Sequence, residues 1–321
     1  MKPSHAARLL VASMALAMVM LALLAVPTAN AQQRRRRPPK IPHYILFDDG
    51  QTKQDDGEST PGVVTPPTYE DDGSNGTDSS SDSPFAWRLR SDAERTLTGV
   101  SADPKDPLAS MRGSGSIAIS TTGMLMMKGS PRYYVTAPAP IAGGVEMVAY
   151  ARLTDTKSSF KDIAGMTMVT RSNHAQSKRD PCQALGYYSR IYFGTGEFAF
   201  QKELYHDEAR HLPIYTASRR QKIFDDGRFP INRWIGMKFV VLPDTERKSV
   251  TLRGFVDLSE RGEWRQVFET VDDGGWKATQ PLPTACPHAD DEIILRAARD
   301  SYFRTDDVEA LEWRELSVRA L

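Results

Sequence analysis

After residue 84 the apolar and polar positions alternate over short stretches and almost nowhere recur at helical spacing. In 145–153 the odd positions are Val145, Met147, Ala149, Ala151 and Leu153, and the even ones are Glu146, Val148, Tyr150 and Arg152. Such a pattern predicts a strand with one face in a core and the other largely polar. The stretch "GYYSRIYFGTGEFAFQKELYH" (186–206) divides in the same way. "FGTGE" is a tight turn in which Gly194 or Gly196 supplies a positive φ. With either two-residue turn, Tyr187, Ser189, Ile191, Phe193, Phe198, Phe200, Lys202 and Leu204 share one face. Tyr188, Arg190, Tyr192, Glu197, Ala199, Gln201, Glu203 and Tyr205 share the other. The first face is a core face, with Lys202 read as a stem snorkelling at the sheet margin.

Further runs of strand composition are "GSIAIS", "GMLMMKG", "RYYVT", "IAGMTMVTR", "WIGMKFVVL", "KSVTLRGFVD", "WRQVFETV", "DEIILRAA" and "EALEWRELSVRAL", separated by Gly, Pro, Asp and Ser. Roughly a dozen strands in one chain predict an all-β fold, an antiparallel β-sandwich or jelly roll of two curved sheets. Residues 91–112 are left irregular, and no internal repeat suggests a propeller. Residues 84–321 form the single folded domain expected.

The first 83 residues read differently. Lys2 and Arg8 precede an apolar run from Leu9 to Val26, and Ala29 and Ala31 offer a cleavage site. Residues 1–31 are therefore expected to be a signal peptide, with a retained membrane anchor as the alternative. Residues 32–83 are rich in Gly, Ser, Thr, Pro and Asp and are expected to be a disordered acidic linker. Localisation outside the cytoplasm follows, secreted and extracellular or periplasmic, with no membrane contact after cleavage.

Charge narrows the partners. The chain is formally neutral, and its acids cluster in the linker, so residues 83–321 carry 31 acids against 33 bases. Near-neutrality argues against a nucleic-acid binder that relies on bulk charge. Cys182 and Cys286 lie in Pro-containing loops, and an oxidising compartment makes a disulfide between them the default.

"RSNH" ending one strand, "YYSRIYFGTGEFAFQKELYH", "WIGMKFVVL" and the closing "DSYFRTDDVEALEWRELSVRAL" resemble the concanavalin A-like lectin/glucanase superfamily over about 113–321. The resemblance implies a concave groove that binds or cleaves polysaccharide, and a last strand laid back beside the first. It does not choose among lectins, hydrolases and lyases. Hydrolysis needs two carboxyls close together, and Glu197 and Glu203 sit about 20 Å apart along one strand. A lyase acting on a uronic-acid polymer needs a cation for the carboxylate and a base for the proton. Tyr188, His174, Arg171 and Gln201 are the candidates for those roles, although the "Q-I-H" and "Y-F-K-A-G" motifs of alginate-lyase-like members are missing. Binding alone needs aromatic rings and hydrogen-bonding side chains. Arg171, Asn173, His174, Tyr188, Arg190, Tyr192, Gln201, Glu203 and His206 are the residues expected to supply it. The main expectation is thus a carbohydrate-binding protein whose partner is a glycan. The alternatives are a lyase, or a structural or adhesive module on which the same row is a solvated cross-strand ladder. No cofactor or metal is expected. "HADDE" at 288–292 reads as an acidic turn, with a structural calcium as its alternative.

Overall fold

The computed structural model describes residues 84–155 and 160–321. The signal peptide and linker expected over 1–83 lie outside the described residues. Sixteen strands follow in order: β1 (Ala86–Arg88), β2 (Arg95–Thr98), β3 (Ser101–Asp103), β4 (Asp106–Ile119), β5 (Leu125–Ile141), β6 (Val145–Leu153), β7 (Gly165–Ser172), β8 (Gly186–Tyr192), β9 (Glu197–Asp207), β10 (Leu212–Tyr215), β11 (Arg219–Lys222), β12 (Trp234–Asp244), β13 (Ser249–Asp257), β14 (Arg265–Asp272), β15 (Ala298–Arg304) and β16 (Val308–Ala320). Every strand pair is antiparallel. The chain is an antiparallel β-sandwich.

β5 is long enough to serve both layers. Its first residues pair with β16, from Leu125 opposite Trp313 to Gly129 opposite Val308. Its later ones pair with β15, from Arg132 opposite Arg304 to Ile141 opposite Ala298. β4 pairs with β5 from Ile119 opposite Leu125 to Ala109 opposite Val135. The strands cross closely at Gly115 and Gly129: a Cβ on Gly115 would lie 1.9 Å from the Lys128 carbonyl oxygen, and both glycines have positive φ. From this corner one layer runs β5–β15–β7–β8–β9–β10, and the other β5–β16–β6–β12–β13–β14. β1 lies antiparallel beside the end of β16, so the last strand does return to the first.

The layers meet in one apolar core. Phe200 of β9 stacks on Phe239 of β12 and Phe268 of β14, with centroids 5.6 and 5.0 Å apart. Phe303 of β15 meets Trp313 of β16 at 6.0 Å. The 186–206 hairpin follows the expected parity: Tyr187, Ile191, Phe198, Phe200 and Leu204 are all buried in this core. Tyr188 pairs with Gln201, the register of a turn centred on Gly194–Thr195. The positive φ falls on Gly196, whose N–H closes onto the Tyr192 carbonyl.

Three expectations are corrected. Residues 91–112 are not irregular; they form β2, β3 and the start of β4. "DEIILRAA" is not a strand before Ala298. Its backbone carbonyls are taken by side chains instead: Lys202 Nζ donates to those of Asp291 and Glu292, and Arg171 to those of residues 294–296. Lys202 does not snorkel. It is fully buried, with Nζ 2.8 Å from Asp272 Oδ2, and Asp272 also accepts the Tyr187 hydroxyl at 2.6 Å. An ammonium so deep is tolerable only with partners that replace water.

Replacing Lys202 alone would strand the Asp272 carboxylate. Lys202→Met is expected to lower stability by roughly 3 kcal/mol or more, read from urea unfolding midpoints. Adding Asp272→Leu to it is expected to restore most of that loss. A single variant as stable as the parent would show that the ion pair contributes nothing.

Candidate functional site

The face of the β5–β15–β7–β8–β9 layer that points away from the core carries a register-aligned pattern. One row across the strands reads Gln201, Tyr188, Val169, Tyr302, Tyr134 and Ser110. The next row, two residues along each strand, reads Ala199, Arg190, Thr167, Arg304, Arg132 and Arg112. A tyrosine row thus lies beside an arginine row. With strands about 4.8 Å apart, the guanidiniums from Arg190 to Arg112 span about 19 Å.

The tyrosines form a buried floor. Tyr134 and Tyr302 stack at 4.5 Å, and Tyr188 meets Tyr302 edge-on at 6.3 Å. The Tyr188 hydroxyl donates to Glu203 Oε2 at 2.5 Å and lies 2.7 Å from the Tyr302 hydroxyl. Burial pushes Tyr188 and Tyr302 well above the usual phenol range. Tyr215 of β10 closes one end of the floor, edge-on to Tyr188 at 5.6 Å, and burial pushes it up to about 12.

The arginines are unevenly paired. Arg304 makes a two-pronged contact with Asp306, at 2.9 and 2.8 Å. Arg190 donates from Nε to Thr167 Oγ1 at 2.9 Å and lies over the Tyr192 ring. Arg112 lies over the Tyr134 ring, 5.3 Å from its centroid. Arg132 sits directly opposite Arg304 across the strand boundary, and like charges so placed repel. Arg132 Nε and Arg304 Nη1 are buried without hydrogen-bond partners. Donors left so are costly, and they mark places where an acceptor would be gained.

At the β9 end, the two histidines and Glu203 come together. His174 Nε2 is 3.0 Å from His206 Nδ1, which is 2.9 Å from Glu203 Oε1. Burial lowers His174 to about 4, with Arg132, His206 and Arg304 adding to the effect and Glu203 opposing it. The Glu203 carboxyl, against its burial, is held below its usual range by His174, His206 and Tyr188.

The expected site residues therefore separate. Tyr188, Arg190, Gln201, Glu203, His174 and His206 lie on or beside this face. Gln201 uses its amide on the Thr216 carbonyl at 3.0 Å, and Tyr188 and Tyr192 are buried rather than open for stacking. Asn173 precedes a short 3-10 turn that begins at His174. Arg171 points elsewhere. Its φ of 50° turns the chain at the end of β7, and its guanidinium donates to the carbonyls of Ala142, Gly143, Ile294, Leu295 and Arg296. Such a guanidinium ties two loops together and has nothing left for a ligand. Cys182 and Cys286 form the expected disulfide, with Cα atoms 5.3 Å apart. In 288–292 the polar groups are directed outward or into the loops: His288 Nε2 is 3.0 Å from the Cys182 carbonyl oxygen, and Asp290 faces Lys277 at 3.7 Å.

The residues missed were legible by parity. "RYYVT" puts Arg132 and Tyr134 on one face against Tyr133 and Val135 on the other. "DSYFRTDD" does the same for Asp300, Tyr302, Arg304 and Asp306. Thr136 and Asp300, joined at 2.8 Å, continue that face.

No protein-family model matches the chain, and no curated protein does. Among solved structures, the winged bean acidic lectin in complex with methyl-α-D-galactose matches at 9% identity and a TM-score of 0.40, covering 71% of this chain and 98% of that one. The exoplasmic/lumenal domain of VIP36, in a Ca2+- and Man3GlcNAc-bound form, matches at 13% identity and 0.36, covering 73% and 89%. Lectin II from Ulex europaeus matches at 12% and 0.37, covering 72% and 100%.

Two arginines test the sorting. Arg171→Met leaves several buried carbonyls without donors, at roughly 1–3 kcal/mol each, and a clear drop in the urea midpoint is expected. Arg112→Ala is expected to stay within about 1 kcal/mol of the parent. Equal losses in the two variants would contradict the division between a structural and an available guanidinium.

Proposed function

We propose that this domain binds a carbohydrate on the tyrosine–arginine face, and that the carbohydrate is an acidic polysaccharide. The observation that carries the reading is the Arg132 Nε atom, buried without a hydrogen-bond partner beside Arg304, in a row of four arginines. Two cations directly opposite each other, with Asp306 neutralising one of them, favour an anionic oxygen between them. A row about 19 Å long at strand spacing suits an extended polymer bearing carboxylates or sulfates better than one monosaccharide. Half-buried Arg112, Arg132 and His206 face the ligand, while the buried tyrosines hold them in place. The Cys182–Cys286 disulfide favours work outside the cytoplasm.

Binding is favoured over β-elimination. A lyase base must give up its proton readily, whereas Tyr188 is buried, donates to Glu203 and is pushed upward. Arg171, expected to neutralise a uronate, is occupied by backbone carbonyls.

The reading is tested by titrating the purified chain with polyuronates, sulfated glycans and neutral glucans by calorimetry. Acidic polymers are expected to bind, with affinity falling as salt rises. Arg132→Ala is expected to weaken binding roughly tenfold to a hundredfold, the worth of one charge-assisted contact. The same variant is expected to melt no lower than the parent, because a repulsion is removed. Equal binding of neutral glucans, or unchanged affinity in Arg132→Ala, would defeat the acidic assignment. Unsaturated product from a uronate polymer would restore the lyase.

A further inference from the structure

The two histidines and the buried glutamate at the β9 end hold their ring nitrogens and carboxylate oxygen unusually close. Three atoms, His174 Nε2, His206 Nδ1 and Glu203 Oε1, are separated by 3.0, 2.9 and 4.0 Å. A point equidistant from all three lies about 2.0 Å from each, a metal–ligand distance for imidazole nitrogen and carboxylate oxygen, with His174 Nε2 and Glu203 Oε1 on nearly opposite sides of it. We propose that His174, Glu203 and His206 bind a first-row divalent cation, zinc by donor type, at the edge of the tyrosine floor. This inference does not depend on the glycan reading.

Hydrogen bonding alone serves these atoms poorly. His206 Nδ1 lies within bonding distance of both His174 Nε2 and Glu203 Oε1. If it accepts from His174, its lone pair faces the carboxylate oxygen at 2.9 Å. If it donates, its single proton is divided between Glu203 Oε1 and the His174 Nε2 lone pair. One nitrogen cannot satisfy both neighbours as a neutral imidazole. A cation at the common point takes all three lone pairs at once.

The surroundings fit a ligand set. Ligating histidines and carboxylates are held by hydrogen bonds on their far atoms. His174 Nδ1 lies 3.3 Å from the Tyr134 hydroxyl, which would accept its N–H. Glu203 Oε2, the oxygen away from the common point, accepts from Tyr188 at 2.5 Å. Both far atoms are thus engaged by the tyrosine floor, while the near atoms converge. Among the described residues this is the group of three or more His, Cys, Asp or Glu side chains whose donor atoms come so close.

The backbone is built to allow it. Glu203 and His206 are three apart on one strand, a spacing that normally sends side chains to opposite faces. The pairing of β9 with β10 shifts between Ile214 and Tyr215, so that Tyr215 faces Glu203 and Ile214 faces Tyr205. One extra residue, Leu204, is thereby taken up on β9, and bulges of this kind redirect side chains. The turn at Arg171 brings His174 in from the neighbouring connection. Two imidazoles select zinc, copper, nickel or iron over the hard cations calcium and magnesium. Three protein ligands also leave a position for water or for an oxygen of a bound molecule.

The full chain, stripped with a chelator and dialysed, would be titrated with zinc by calorimetry, and its metal content read after gel filtration. One zinc per chain is expected, with a rise in melting temperature on zinc addition. Cobalt in its place is expected to give a visible ligand-field spectrum. His174→Gln and His206→Gln should each weaken zinc at least tenfold. His211→Gln and His288→Gln, whose rings lie outside the cluster, should leave it unchanged. Wild-type chain that retains no zinc and gives no cobalt spectrum overturns the proposal, whether or not the variants fold. Equal zinc affinity in both cluster variants overturns it too, by placing the ion elsewhere. Glycan titrations run on stripped and zinc-loaded chain keep the readings apart. Glycan binding without zinc binding defeats only this inference, and zinc binding without glycan binding defeats only the proposed function.

Discussion

The structure depends on β5 serving both layers. A strand of seventeen residues can do so only if it turns, and the turn occurs where Gly115 and Gly129 let two backbones approach more closely than any side chain would permit. Beyond that corner the two-residue period of the strand does the rest. Tyr133 and Val135 enter the core, so Arg132 and Tyr134 must emerge on the other face. β15 pairs in register with this half of β5 and repeats the sorting, with Phe303 inward and Tyr302 and Arg304 outward. The arginine and tyrosine rows are therefore a consequence of core packing. A one-residue slip of β15 would bury Arg304 in the core and break the rows, so the apolar core enforces the register of the polar face.

Such a face is expensive to keep. Buried phenols, a buried carboxylate and adjacent guanidiniums all lose hydration, and only some recover it through partners. Two other buried cations in the domain have acids beside them: Lys202 has Asp272, and Arg95 has Asp103 at 2.6 Å. The contrast lies in completeness. Lys202 is met by a carboxylate and two carbonyls, whereas Arg132 Nε and Arg304 Nη1 are met by none. Buried polar atoms without partners occur elsewhere too, on Asp272 and Arg296 among others, so what distinguishes this pair is that two like charges stand directly opposite each other.

The sequence revealed faces better than partners. Parity in 186–206 separated the core side from the polar side because alternation needs only a correct strand assignment. The same test applied to "RYYVT" and "DSYFRTDD" would have brought in Arg132, Tyr134, Tyr302 and Arg304. These runs lie far from 186–206 in sequence and become its neighbours through β7 and β15, a matter of topology that local pattern does not carry. "DEIILRAA" has strand composition, yet its carbonyls are claimed by Lys202 and Arg171 from other elements. Lys202 looked marginal because its acid, Asp272, lies seventy residues away. The disulfide was legible, since two cysteines in one exported-looking domain have few other choices.

Arg171 and Arg132 show why residue type could not separate structural from available groups. Both are arginines on strands of the same layer, and both suit the recognition of a carboxylate. Arg171 follows β7 to its end, where a left-handed turn aims its fork at two loops whose strandless backbone needs donors. Arg132 lies in the middle of a paired strand, where every neighbouring backbone group is already used by the sheet. A guanidinium at a strand end is drawn into closing loops, and one within a sheet can be satisfied only by side chains or by a visiting acceptor. Across from Arg132 the sheet places another arginine. On its other side stands Arg112, so neither neighbouring strand supplies Arg132 Nε with an acceptor, and the middle of the sheet differs in this from the loops that Arg171 closes.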